Sequence, residues 1–180
     1  MEIENTIDLL EDILGKYKDV IGEDFLPYKN HVYRVIHFCF LLRQDLKPAQ
    51  KEKVIIAGAF HDLGIWTEDT LDYLPPSVNL AKAYLKQRNQ KKWSAEIALM
   101  IDLHHKLRPV EEKNPSLVEV FRRADLIDVS LGKVKFGVSK EDIKNVRTTF
   151  PNSGFHKRLT QLAFRELFRH PLKPAPFLKW

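Results

Sequence analysis

The chain of 180 residues contains a single cysteine, Cys39, so no internal disulfide can staple it. That residue sits in "HFCFLL", where a thiol packs as a small hydrophobe, and a reducing, cytoplasmic home is expected. No stretch approaches the roughly 20 apolar residues of a spanning helix. The N-terminus "MEIENTIDLLEDILGKY" carries acids where a signal peptide would need bases. A sustained period-two alternation is absent, as is any internal repeat. Charge is also modest: the net value is +5, with the excess clearest in "KQRNQKK", "FRRAD" and "HKRL". That balance fits an anionic substrate, nucleic acid or plain solubility. No aromatic-rich basic motif accompanies it, so neither nucleic acid nor a membrane is an expected partner.

What is present is helical periodicity. Hydrophobic residues at 44% and charged residues at 29% suit a soluble globular protein, and the length suits one domain over 1–180. Ile3, Ile7, Leu10, Leu14 and Tyr17 recur at spacings of three and four, and this first helix is expected to end near Gly22. After "GEDFLPYKN", the stretch "HVYRVIHFCFLLRQ" puts Val32, Val35, Ile36, Cys39 and Leu42 on one apolar face. In "LKPAQKEKVIIAGAFHDLG", Pro48 suits a first helical position and Gly64 a C-terminal cap.

"IWTEDTLDYLPP" reads as a loop. Ser77 and Ser94 are candidate caps for helices through "NLAKAYLKQRNQ" and "WSAEIALMIDLHH". Further helices run through "SLVEVFRRADLIDVSL", from Ser139 to Val146, and through "FHKRLTQLAFRELFRH". The expected fold is an all-α bundle of about seven helices.

Four places offer nitrogen and oxygen ligands at or beside apolar helical stretches: His31, the pair His61-Asp62, the pair His104-His105, and Asp125 in "RRADLIDVS". Neighbours on a helix point about 100° apart. His61 and Asp62 can therefore share one cation only from the helix flank, and other helices must complete its shell.

The order of these residues resembles the HD superfamily of metal-dependent phosphohydrolases, whose pattern is a first histidine, a His-Asp doublet and a distant aspartate. Here "NHVYRV", "AGAFHDLG" and "ADLIDVS" carry it, over about residues 29–130. The resemblance implies a divalent cation (Mn, Co, Mg, Ni, Fe or Zn) held by His31, His61, Asp62 and Asp125. It also implies hydrolysis of a small phosphorylated substrate, a nucleotide being the favoured class, by metal-activated water. Asp62 would leave one oxygen free to orient that water. Alternatives are a nucleotide-binding regulatory module that does not hydrolyse and a di-iron oxygenase on the same scaffold.

Glu68 and Asp69, in a loop with Asp72, are candidate catalytic helpers, against the reading of a polar loop. His104 and His105 are either a satisfied pair at a helix C-terminus or contributors to the site, as weak ligands of a second metal or as a proton donor. Arg34, Lys106 and Arg108 are candidates for holding substrate phosphate. Arg122 or Arg123 is expected in a structural ion pair, Asp128 behind the site or on the surface, His37 in the core, and His156 and His170 on the surface. The C-terminal helix and tail, 154–180, end in "HPLKPAPFLKW", expected to dock through Phe177, Leu178 and Trp180 on its own domain. The alternatives are an arm over the pocket or a swap onto a second copy, which makes a homodimer a candidate assembly.

Overall fold

The computed structural model describes residues 3–110 and 116–169, and every regular element among them is helical. In chain order the α-helices are α1 (Asp8–Gly15), α2 (Lys18–Ile21), α3 (Phe25–Leu42), α4 (Pro48–Phe60), α5 (Gly64–Thr67), α6 (Leu74–Gln87), α7 (Ser94–Leu103), α8 (Leu117–Val129), α9 (Lys140–Thr149) and α10 (Phe155–Arg169). Eight of them span eight residues or more and two are single turns, close to the seven helices expected. No described helix is long and apolar enough to cross a membrane. The tail with His170, Phe177, Leu178 and Trp180 lies outside the described residues.

Helix α3 is the axis. The sequence shows one apolar stripe, but nearly every residue from Tyr28 to Phe40 is buried, because α4, α8, α9 and α10 surround it. Polar residues on its other face, Arg34 and His37 among them, are therefore buried as well and must find partners inside. Pro27 lies within the first turn, where a missing N–H costs nothing, so the helix starts at Phe25, before the break that "FLPYKN" suggests. Cys39 is buried.

Two caps fall where the sequence puts them. Pro48 is the first residue of α4, and the Ser139 hydroxyl accepts from the Asp142 amide at the start of α9. Three do not. Ser94 makes no capping bond, and Ser77 is inside α6, whose first turn takes both prolines. Instead, the Ser77 hydroxyl accepts the amide of Gly64 at 2.9 Å. Gly64 opens α5 instead of closing α4, and its value is close approach: a Cβ there would lie 2.4 Å from the Tyr73 carbonyl oxygen. The short segment after the His-Asp pair is thus pressed against the start of α6.

Candidate metal centre

His61 caps the C-terminus of α4 and His104 that of α7, and the two ends lie side by side beneath α3 and α8. The same local device orients both rings. His61 Nδ1 lies 2.7 Å from the Gly58 carbonyl, and His104 Nδ1 lies 2.6 Å from that of Ile101. In each, Nδ1–H donates to a carbonyl three residues back, which turns the Nε2 lone pair inward. His31, on α3, is held likewise by its Nδ1, 2.7 Å from Asp128 Oδ2, and Phe155 stacks on its ring at 4.1 Å.

The inward atoms converge. His31 Nε2 lies 2.9 Å from His61 Nε2 and 3.6 Å from both Asp62 Oδ2 and Asp125 Oδ1. His61 Nε2 lies 3.3 Å from Asp62 Oδ2 and 4.0 Å from Asp125 Oδ1. The other oxygen of each carboxylate faces the second histidine pair: Asp62 Oδ1 is 3.3 Å from His104 Nε2, and Asp125 Oδ2 is 3.5 Å from His105 Nδ1. Each carboxylate thus stands between two imidazole pairs, which shows how adjacent histidines both reach one cluster. His104 points down into it and His105 lies beside it.

Three buried atoms here, Asp62 Oδ1, Asp125 Oδ1 and His104 Nε2, have no hydrogen-bond partner among the described residues. An unpaired buried acceptor costs about 1–3 kcal/mol, so a set of such atoms facing one another suits a cation. The donor sets His31-His61-Asp125, His61-Asp62-His104 and His104-His105-Asp125 each offer ligand atoms within 4.8 Å of one another, and imidazole with carboxylate suits a divalent transition ion.

Electrostatics agree. Burial opposes a charged His31, but hydrogen bonds to Asp128 and Asp62 outweigh it and lift its pKa to about 9. Burial drives His61 the other way, to about 3, against the pull of Asp62 and with the push of His104 and His31. A protonated His31 can then donate to a neutral His61.

Burial also lifts Asp125 to about 6, opposed by His104 and His31. Asp62 stays ionised well below the usual carboxylate range despite burial, because His61, His104 and His31 surround it.

Behind this cluster Asp128 is fully buried. Arg34 grips it through Nε at 2.6 Å and Nη2 at 2.8 Å, and Arg34 Nη1 donates to the Phe150 carbonyl at 3.1 Å. Arg34 is 1% exposed, so the expectation that it binds substrate phosphate is corrected: its guanidinium is spent on Asp128 and on the chain after α9. His156 is half-buried rather than wholly at the surface, and its Nε2 lies 3.2 Å from the Asp128 carbonyl. Arg122 makes the expected ion pair, with both carboxylate oxygens of Glu119 at 2.7 and 2.8 Å.

A cavity of about 450 Å³ opens onto the cluster, reaching His31, Asp62, His104, His105 and Asp125. Lys106 lines it. Arg108 is exposed and is not among its lining residues. Glu68 and Asp69, the sequence candidates for catalytic help, are exposed and do not line it either; Asp69 borders a separate surface groove with Asp24 and Trp66. The chain turns at Asp69, whose φ is +46°, and it is Leu71 and Tyr73, further along the same loop, that line the cavity.

The sequence reading missed Tyr73, whose phenol lies 2.7 Å from His105 Nε2, and Phe155. Tyr73 stands next to Leu74 and paired prolines in a stretch that reads as loop, so only its burial, not its pattern, marks it. Phe155 reaches His31 from 124 positions away in sequence, which no local signal carries.

Residues 28–130, more than half of the chain, match a family model described as HD domain. No curated protein and no solved structure matches.

Proposed function

The chain belongs to the HD-domain family, and from that premise we propose that it is a metal-dependent phosphohydrolase cleaving the ester bond of a small phosphorylated compound. The observation that supports this most is the inward convergence of the His31, His61 and His104 Nε2 atoms on the Asp62 and Asp125 carboxylates at the floor of a cavity. His31, His61, Asp62 and Asp125 would hold the ion. When bound, a divalent cation supplies the positive charge that draws a phosphoryl group in and makes water acidic enough to attack at neutral pH.

The protein's own groups do the rest. Asp128, locked by Arg34, keeps the His31 ring turned so that Nε2 faces inward. Tyr73 is raised well above the usual phenol value by burial and by Asp62 and Asp125, whereas burial and neighbouring imidazoles hold His105 well below its own. The phenol therefore keeps its proton and donates to His105 Nε2, which leaves Nδ1–H directed at Asp125. Lys106, which lines the cavity, would supply an ammonium for the phosphate. In the overall reaction one bond forms between water oxygen and phosphorus, the ester P–O bond breaks, and a proton passes to the leaving oxygen.

The test is metal content per chain by plasma mass spectrometry, without chelators, beside phosphoester turnover for the wild type and Asp62→Ala. About one divalent ion per wild-type chain is expected. In the variant the ion should be lost and turnover should fall by at least about 10³-fold. Full activity in Asp62→Ala would sink the assignment, and two irons with oxygen consumption would move it to the oxygenase alternative.

A further inference from the structure

Among the described residues, the polar groups lining the cavity over the cluster are concentrated at its floor. Its walls are Ile65, Leu71, Leu107, Leu126, Val129 and Leu159, drawn from α5, α8, α10 and the loops after α5 and α7. The polar side chains that share it are committed elsewhere. Arg122 is consumed by Glu119 and by the Lys106 carbonyl, the Thr160 hydroxyl donates to the His156 carbonyl at 2.8 Å, and the Tyr73 phenol is bonded to His105. Lys106 is the exception: its ammonium forms no ion pair or hydrogen bond with the described residues.

A phosphate can therefore be met at the floor and by Lys106, but what the phosphate is attached to meets hydrocarbon. A nucleobase or ribose placed against these walls would give up its hydrogen bonds to water without replacement, a penalty that hydrophobic contact does not offset. An alkyl or aryl group loses nothing and gains burial.

We infer that the substrate is a phosphate ester of an apolar alcohol, alkyl or aryl, whose hydrocarbon part fills the cavity while its phosphate lies over the cluster. This rests on the phosphohydrolase reading for the chemistry and on the cavity walls for the specificity. It replaces the nucleotide favoured on sequence grounds. The capacity is bounded: about 450 Å³ lies within the ordinary size of a small-molecule pocket, so affinity should rise with chain length and then stop.

Binding separates the two readings. Methyl-, butyl-, hexyl- and dodecylphosphonate, which contain no ester to cleave, are titrated calorimetrically into manganese-loaded protein beside adenosine monophosphate. Turnover of the matching alkyl phosphates and of adenosine monophosphate is followed in parallel.

Affinity is expected to rise by about fourfold per methylene between methyl and hexyl, and adenosine monophosphate should bind more weakly than hexylphosphonate. Leu107→Asn and Leu159→Asn should each cut the hexyl-to-methyl affinity ratio several-fold. Leu107 is 52% exposed, so its exchange leaves the fold alone. A flat series, or tighter binding of the nucleotide, overturns the inference. A rising series without hydrolysis of any ester upholds the pocket and removes the phosphohydrolase. Hydrolysis confined to the nucleotide does the reverse.

Discussion

Two groups of buried charge lie on either side of His31, and they are built on opposite principles. Behind the ring, Asp128 has a partner at every turn: His31 Nδ1 on one oxygen, and the Arg34 guanidinium on both. In front of it, Asp62, Asp125 and His104 each leave an atom unanswered. A charge is tolerable in a protein interior only when paired. The saturated side is therefore structure, and the unsaturated side is held in place by structure for something that binds. The Glu119 site repeats the saturated pattern, with Arg122, Arg123 and the Val110 amide all donating to one carboxylate, and it holds that carboxyl's pKa at about 2 in spite of burial.

The sharpest way to break this comparison is to remove one group from each side. Arg34→Met leaves Asp128 buried without its bidentate partner, and the expected loss is about 3–5 kcal/mol, seen as a fall in melting temperature of roughly 10 °C. Asp62→Ala in metal-free protein should cost clearly less, because one of its two oxygens has no hydrogen bond to lose, and it should abolish metal binding. Equal destabilisation by both variants, measured by thermal melting with chelator present, would erase the distinction.

The candidate ligands were legible because helical patterning placed His31, His61, Asp62 and Asp125 at or near apolar stretches, and the order of the residues carried the rest. The fold class was legible for the same reason. What stayed hidden depends on contacts distant in sequence. Arg34 reads as a free cation until α8 brings Asp128 to it. Glu68 and Asp69 read as neighbours of the doublet, yet both are exposed and it is Leu71 and Tyr73 of the same loop that line the cavity. Ser77 and Gly64 read as a cap and a terminator, and are instead two halves of one contact between α5 and α6.

That contact gives the next expected effect. Gly64→Ala places a Cβ where the Tyr73 carbonyl stands, and a backbone atom cannot rotate away as a side-chain tip can. The cost should be about 1–3 kcal/mol, and because Tyr73 carries the bond to His105, turnover should fall along with stability. Glycine-like melting in the alanine variant would show that α6 has room to move. A loss of stability with kcat unchanged would show instead that the position of Tyr73 is immaterial to the site.

The smallest effect probes a histidine on the far side of the same helix. His37 is fully buried, stacked at 5.4 Å on Phe150 and beside Tyr33, and its Nε2 donates to the Glu4 carbonyl at 3.1 Å. Burial lowers its pKa, the Glu4 carbonyl and charge opposing, so the folded chain prefers a neutral ring while the unfolded chain titrates near 6.5. Between the lowered folded value and 6.5 the unfolded state binds more protons. The contribution of His37 is thus complete above about pH 6.5 and declines as the pH falls below it. His37→Gln keeps a donor for the Glu4 carbonyl but cannot be protonated. It should cost about 1 kcal/mol at pH 7 and flatten the decline in melting temperature between pH 7 and pH 5, leaving hydrolysis nearly intact. The other histidines titrate identically in both proteins, so the difference between the two melting curves isolates this ring. An unchanged slope would mean that His37 is already solvated, and turnover lost at unchanged melting would mean that the functional face of α3 extends past the saturated side of His31.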